Sequence, residues 1–101
     1  MIINLTPHAI TDVVTNKTFP PSGTVARVAT TQTQVGDLDG IPLFSTTYGD
    51  IQDLPPQQDD TYYLVSLLVK QALPYRKDLL SPGALVRDDK GNPIGCKGFN
   101  K

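Results

Sequence analysis

A chain of 101 residues is long enough for one hydrophobic core and too short for two, so residues 1–101 read as a single domain. Nine Lys plus Arg stand against ten Asp plus Glu, which excludes the broad positive field of a nucleic-acid or anionic-membrane binder and leaves any anion site local. One cysteine and one histidine exclude an internal disulfide and a Cys/His zinc site within one chain. No apolar run approaches the roughly 20 residues of a membrane span, and no basic-then-apolar leader opens the sequence, so the expectation is a cytoplasmic protein without membrane partners.

In chain order, residues 2–5 read as a short strand that Thr6-Pro7-His8 ends, because Pro7 lacks an amide donor and holds Thr6 extended. β-Branched residues resume over 10–15, Asn16-Lys17 supplies a two-residue turn, Thr18-Phe19 returns, and Pro20-Pro21-Ser22-Gly23 closes the hairpin. Residues 24–35 form the longest extended stretch, with Arg27, Thr31 and Val35 on one face and Ala26, Thr30 and Gln34 on the other. Neither face is strongly apolar, which predicts an edge, a ribbon or a subunit contact. Residues 36–40 then turn the chain back into a strand over 41–48. Residues 49–60 have loop composition around one anchor pair, Ile51 and Leu54, and suit a lid.

Residues 61–74 carry the change of period around which the rest is organised. Residues 62–65 are short, aromatic and β-branched, hence a buried strand. Ser66 caps a helix whose apolar positions Leu67, Leu68, Val69, Ala72 and Leu73 are mostly spaced at three and four, and Pro74 ends it after two turns. Residues 75–80 suit one further helical turn, and Ser81-Pro82-Gly83 punctuates the chain before residues 84–87 pair through 88–92 with 94–97. Many strands with one principal short helix predict an α+β domain built on an antiparallel or mixed sheet with several hairpins.

The chemistry-bearing residues are few. His8 and Cys96 could form a base and a nucleophile, but Cys96 between Gly95 and Lys97 in a strand is ordinary packing. Asp37 and Asp39 begin a calcium-loop pattern whose remaining ligands are missing, in a chain with no glutamate, so a hairpin turn is the better reading. Arg27 and Arg87 interrupt apolar strands. Their plain role is a surface arginine paired with an aspartate such as Asp88; their functional role is a planar fork for phosphate. Arg76-Lys77 after the proline reads as a solvated turn. Tyr48 and Tyr62 can stack a base or pack across strands, and Ser66 heads a helix whose amides favour an anion.

The segments N-L-T-P-H-A-I, P-P-S-G-T-V-A-R-V, Y-G-D-I, Y-Y-L-V-S, S-P-G-A-L-V-R-D and I-G-C-K-G-F together resemble a family of small proteins found in phages, prophages and bacteria. Phage proteins of this size and character include signal sponges, which bind cyclic nucleotides or cyclic ADP-ribose derivatives made by bacterial immunity. Small size, several Arg and Tyr residues, abundant Thr and Asn donors and the absence of a catalytic set lead to the expectation of a non-enzymatic small-molecule binder without cofactor. The analogy with sponges makes the expected ligand a nucleotide-like anion in the host cytoplasm. The residues assigned to that ligand are Arg27 and Arg87, with Asn4, Thr6 and His8 from the N-terminal turn, a tyrosine at Tyr48 or Tyr62, and Ser66. A homo-oligomer is expected, because the long, weakly apolar strand needs a neighbour. Two other readings stand beside it: a protein-interaction or assembly module acting on a host or virion protein, and a small hydrolase.

Overall fold

The computed structural model describes residues 1–101. Eight strands and one helix follow one another as β1 (Ile2–Asn4), β2 (Ile10–Asp12), β3 (Lys17–Phe19), β4 (Arg27–Leu38), β5 (Ile41–Gln52), β6 (Tyr62–Leu64), α1 (Leu67–Ala72), β7 (Leu79–Arg87) and β8 (Pro93–Asn100). Strands hold 52% of the residues and the helix 6%, so the expected α+β mixture is corrected to a β-rich, near-barrel fold. Six strands form one sheet in the order β1-β6-β7-β8-β2-β3, while β4 and β5 pair only with each other. The β1–β6, β6–β7 and β2–β8 pairings are parallel, and β7–β8 and β2–β3 are antiparallel.

The sheet curls until its two edges meet. Asn4 on β1 is the clasp: its Nδ2 donates to the carbonyls of Phe19 on β3 and of His8, each at 2.8 Å, and its own carbonyl accepts from Ser22 N at 3.0 Å. The core inside comprises Leu5, Ala26, Tyr63, Val65, Val69 and Leu79, with Ile3, Val28, Ile51, Leu54 and Leu73 packed against it. Fully burying each aliphatic side chain contributes about 1.5–3 kcal/mol. Ile51 and Leu54 thus anchor their segment as expected. Part of the supposed loop belongs to β5, and the remainder is fastened by Tyr63 Oη to Pro56 O at 3.3 Å and Arg76 Nη2 to Pro55 O at 3.1 Å.

The helix forms where its cap and its proline place it. Ser66 has extended backbone (φ −63°, ψ 154°), and its hydroxyl accepts from Val69 N at 3.3 Å. Only Val69 is buried along its length, so the helix leans on the barrel by one side chain and leaves Leu67 and Leu68 exposed.

The segment after the helix departs from expectation twice. Leu79 and Leu80 open β7 rather than ending a helical turn, because both are buried where β7 lies between β6 and β8. Ser81-Pro82-Gly83 does not punctuate the chain but continues the strand, paired with Asn100 and Phe99 of β8. Glycine is required there: a Cβ at position 83 would press on the carbonyls of Lys97 and Gly98, the latter at 2.6 Å. β6 has ended at Leu64, so the donor that Pro82 lacks has no strand waiting on that side.

The hairpin over β4 and β5 is longer than its sequence suggested. Asp39 (φ 51°) and Gly40 (φ 81°) form a two-residue turn, tighter than the expected 36–40, and β5 runs to Gln52. The ribbon stands off the barrel: the radius of gyration is 16.3 Å, against about 13 Å for a compact chain of 100 residues.

Candidate functional site

The sequence-assigned residues divide among separate places. Thr6, Arg27 and Ser66 come together around a hollow of about 260 Å³ between the N-terminal turn, the base of β4 and α1. Thr6 is buried and its Oγ1 lies 2.6 Å from Asn4 Oδ1, while Ser66 serves as the helix cap, so Arg27 is the exposed cation there. Asn4 is spent in the clasp. His8 is exposed on a different groove of about 460 Å³, shared with Ile10, Leu85, Ile94 and Cys96. Cys96 itself is buried, with its thiol 3.6 Å from Thr11 O. Arg87 sits at the β7–β8 turn, where Nη1 donates to Gly91 O at 2.8 Å rather than pairing with Asp88. Tyr48 is on the ribbon, and Arg27 and Arg87 line no common cleft.

A site that the sequence reading passed over lies at the other end of the helix. Pro74 stops α1, and Leu73 N donates to Lys70 O at 3.2 Å and Arg76 N to Leu73 O at 3.1 Å, so the chain folds back tightly. This turn brings Lys70, Arg76 and Lys77 to one cleft of about 500 Å³ with Gln71, Pro74 and Lys101. Lys101 arrives from the far end of the sequence because β8 pairs Asn100 with Ser81, setting the next residue beside the segment that leads into β7. Lys70 also suits the carbonyl-rich end of a helix.

The four cations differ in what holds them. Arg76 donates through Nε and Nη2 to both carboxylate oxygens of Asp78, at 2.8 and 2.7 Å. This fork holds the Asp78 carboxyl below the usual carboxylate range and raises the arginine, against the opposing effect of burial. It is the one ion pair in the molecule. Lys70, Lys77 and Lys101 therefore face the cleft without a carboxylate partner.

An adjoining cleft of about 250 Å³ shares Lys77 and Lys101 and is lined by Gln57, Gln58, Asp59, Asp60, Thr61, Tyr62 and Asp78. Lys101 Nζ lies 5.6 Å from the centre of the Tyr62 ring, within cation–π range. Tyr62 is thus the one sequence-assigned residue that stands at this site. The first cleft offers ammonium groups, and the second adds amides, a hydroxyl and an aromatic ring together with the carboxylates of Asp59, Asp60 and Asp78, so an anionic group belongs in the first. That combination suits a molecule with an anionic part and a planar, hydrogen-bonding part.

Lys70, Arg76 and Lys77 stand within eight residues of sequence, Lys70 as a polar position of the helix and Arg76-Lys77 as a turn. Lys101 carries no such signal, since only strand pairing brings it there. No helix is long and apolar enough to cross a membrane. No family model, curated protein or solved structure matches the chain.

Proposed function

We propose that the chain is a non-enzymatic binder that sequesters a small nucleotide-like anion, with phosphate at Lys70, Lys77 and Lys101 and the base or sugar toward Gln57, Gln58 and Tyr62. The observation that carries this reading is the convergence of three unpaired lysines on one cleft beside an aromatic ring, in a chain of net charge −1. The resemblance to small phage and bacterial proteins gives it biological form: capture, in the host cytoplasm, of a cyclic nucleotide or cyclic ADP-ribose derivative made in bacterial defence.

The magnitudes define what the site needs. Nanomolar capture requires about 12 kcal/mol. Charge-assisted contacts contribute about 1.5–3 kcal/mol each and a stacked base about 1–3 kcal/mol. Three lysines and one ring supply about 5.5–12 kcal/mol, which meets that requirement only at its upper end and before the cost of lost freedom on association, so further enclosure is needed. Calorimetry with ADP-ribose, a cyclic dinucleotide and inorganic phosphate tests the reading. At least one nucleotide should bind more tightly than phosphate, and a Lys70→Ala, Lys77→Ala double variant should weaken it at least tenfold. A folded protein that binds none of these probes, or a double variant with unchanged affinity, overturns it.

The ribbon favours a second reading, in which the chain works as an assembly or protein-interaction module. Its long edges are bare, and its apolar side chains are uncovered.

A further inference from the structure

The β4–β5 ribbon carries more than an unexplained shape. The chain exposes 7007 Å², whereas a compact monomer of 11.0 kDa exposes about 5,600 Å². The excess of about 1,400 Å² is larger than the roughly 800 Å² each partner buries in a standard interface. Two-stranded ribbons are marginal in water by themselves. No backbone hydrogen bond links residues 29–49 to any other element. Leu38, Ile41, Leu43 and Phe44 are all exposed around its tip.

Few side chains along the edges guard against pairing. Between residues 29 and 49 the only charges are Asp37 and Asp39, there is no lysine, and Pro42 is the one blocking residue. We infer that β4 pairs antiparallel with β4 of a second copy about a twofold axis at Gln32, joining two ribbons into a four-stranded sheet.

The sequence of β4 is self-complementary about that point. An antiparallel register centred on Gln32 sets Thr31 opposite Thr33, and Arg27 opposite Asp37 of the second copy. The extra residue at Val35 belongs to β4, whereas the one opposite Ala29 belongs to β5, so β4 itself runs without an inserted residue from Arg27 to Gln34, across the axis. An isologous contact brings residues near its axis against their own copies, and the uncharged stretch from Val28 to Gly36 tolerates this. Beyond Asp37, the apolar tip reaches the base of the other ribbon. There the hollow beside Arg27 is lined by Leu5, Val25, Val28 and Leu68, chemistry that accepts Leu38 and Ile41.

Light scattering on the full chain, with circular dichroism to verify folding, tests the register. The wild type should have twice the 11.0 kDa chain mass at micromolar concentration. Arg27→Asp and Asp37→Arg should each give monomers, because like charges then meet, and the double exchange should restore the dimer. A monomeric wild type overturns the inference. So does a dimer that survives both single exchanges, or a double exchange that stays monomeric while folded.

Discussion

Asp12 shows how one carboxylate can bind distant parts of the chain together. Its oxygens accept from Thr15 Oγ1 at 2.6 Å, Thr15 N at 3.0 Å, Val14 N at 3.2 Å and Gly98 N at 2.9 Å, tying the β2–β3 turn to β8. The Thr15 hydroxyl, followed by the Gly98 amide, lowers its pKa to about 2 against the opposing effect of burial. A carboxylate whose pKa falls on folding stabilises the protein above its unfolded value near 4, and that contribution is lost as pH drops toward 2. The urea midpoint should therefore fall over this window, and Asp12→Asn should flatten the fall while leaving the part owed to Asp78. An identical pH profile in the variant would contradict the assignment. Arg76→Ala is expected to cost about 3 kcal/mol, because it leaves Asp78 buried and unpaired. The same variant combined with Asp78→Ala should recover part of the loss, measured by the same unfolding curves. At this scale the sequence was informative about Ser66 and Cys96 but not about Asp12, whose Gly98 partner is 86 residues away.

Among the elements, those with local chemistry were legible and those made by neighbours were not. Ser66 and Pro74 bound the helix from within a few residues, and Asp39-Gly40 and Asp88–Asn92 place two hairpins. Ser81-Pro82-Gly83 misleads because its strand character comes from the close approach of β8, which no local pattern encodes. Gly83→Ala should accordingly destabilise the fold by about 3 kcal/mol or more, since the added methyl meets backbone carbonyls that cannot move aside. Gly91→Ala is the control. Position 91 has open space and a φ of +83°, so only the backbone strain of about 1–2 kcal/mol applies. Equal losses in thermal or urea unfolding would show that the carbonyl contact at Gly83 does not matter. Ser66→Ala should lower stability by about 1 kcal/mol through the lost cap to Val69.

For the molecule as a whole, 39% hydrophobic content supports a small near-barrel, and the long Thr-rich strand, expected as an edge, a ribbon or a subunit contact, forms a two-stranded ribbon. What the sequence could not supply was the gathering of Lys70, Lys77, Lys101, Gln57 and Tyr62, because that depends on β6, β7 and β8 lying side by side. Arg27 and Arg87 looked like phosphate forks by type, yet the fold gives them separate surroundings. The dimer and the anion site make distinct demands: charge exchange at Arg27 and Asp37 should alter mass, and lysine removal should alter affinity. The most direct measurement of the central claim is a titration of isotope-labelled protein with ADP-ribose, followed by amide chemical shifts. The shifts should concentrate on residues 57–62, 70–77 and 101 and vanish in the Lys70→Ala, Lys77→Ala variant. Saturable shifts confined instead to Thr6, Arg27 and Ser66, or to the ribbon, would contradict the lysine cleft as the ligand site.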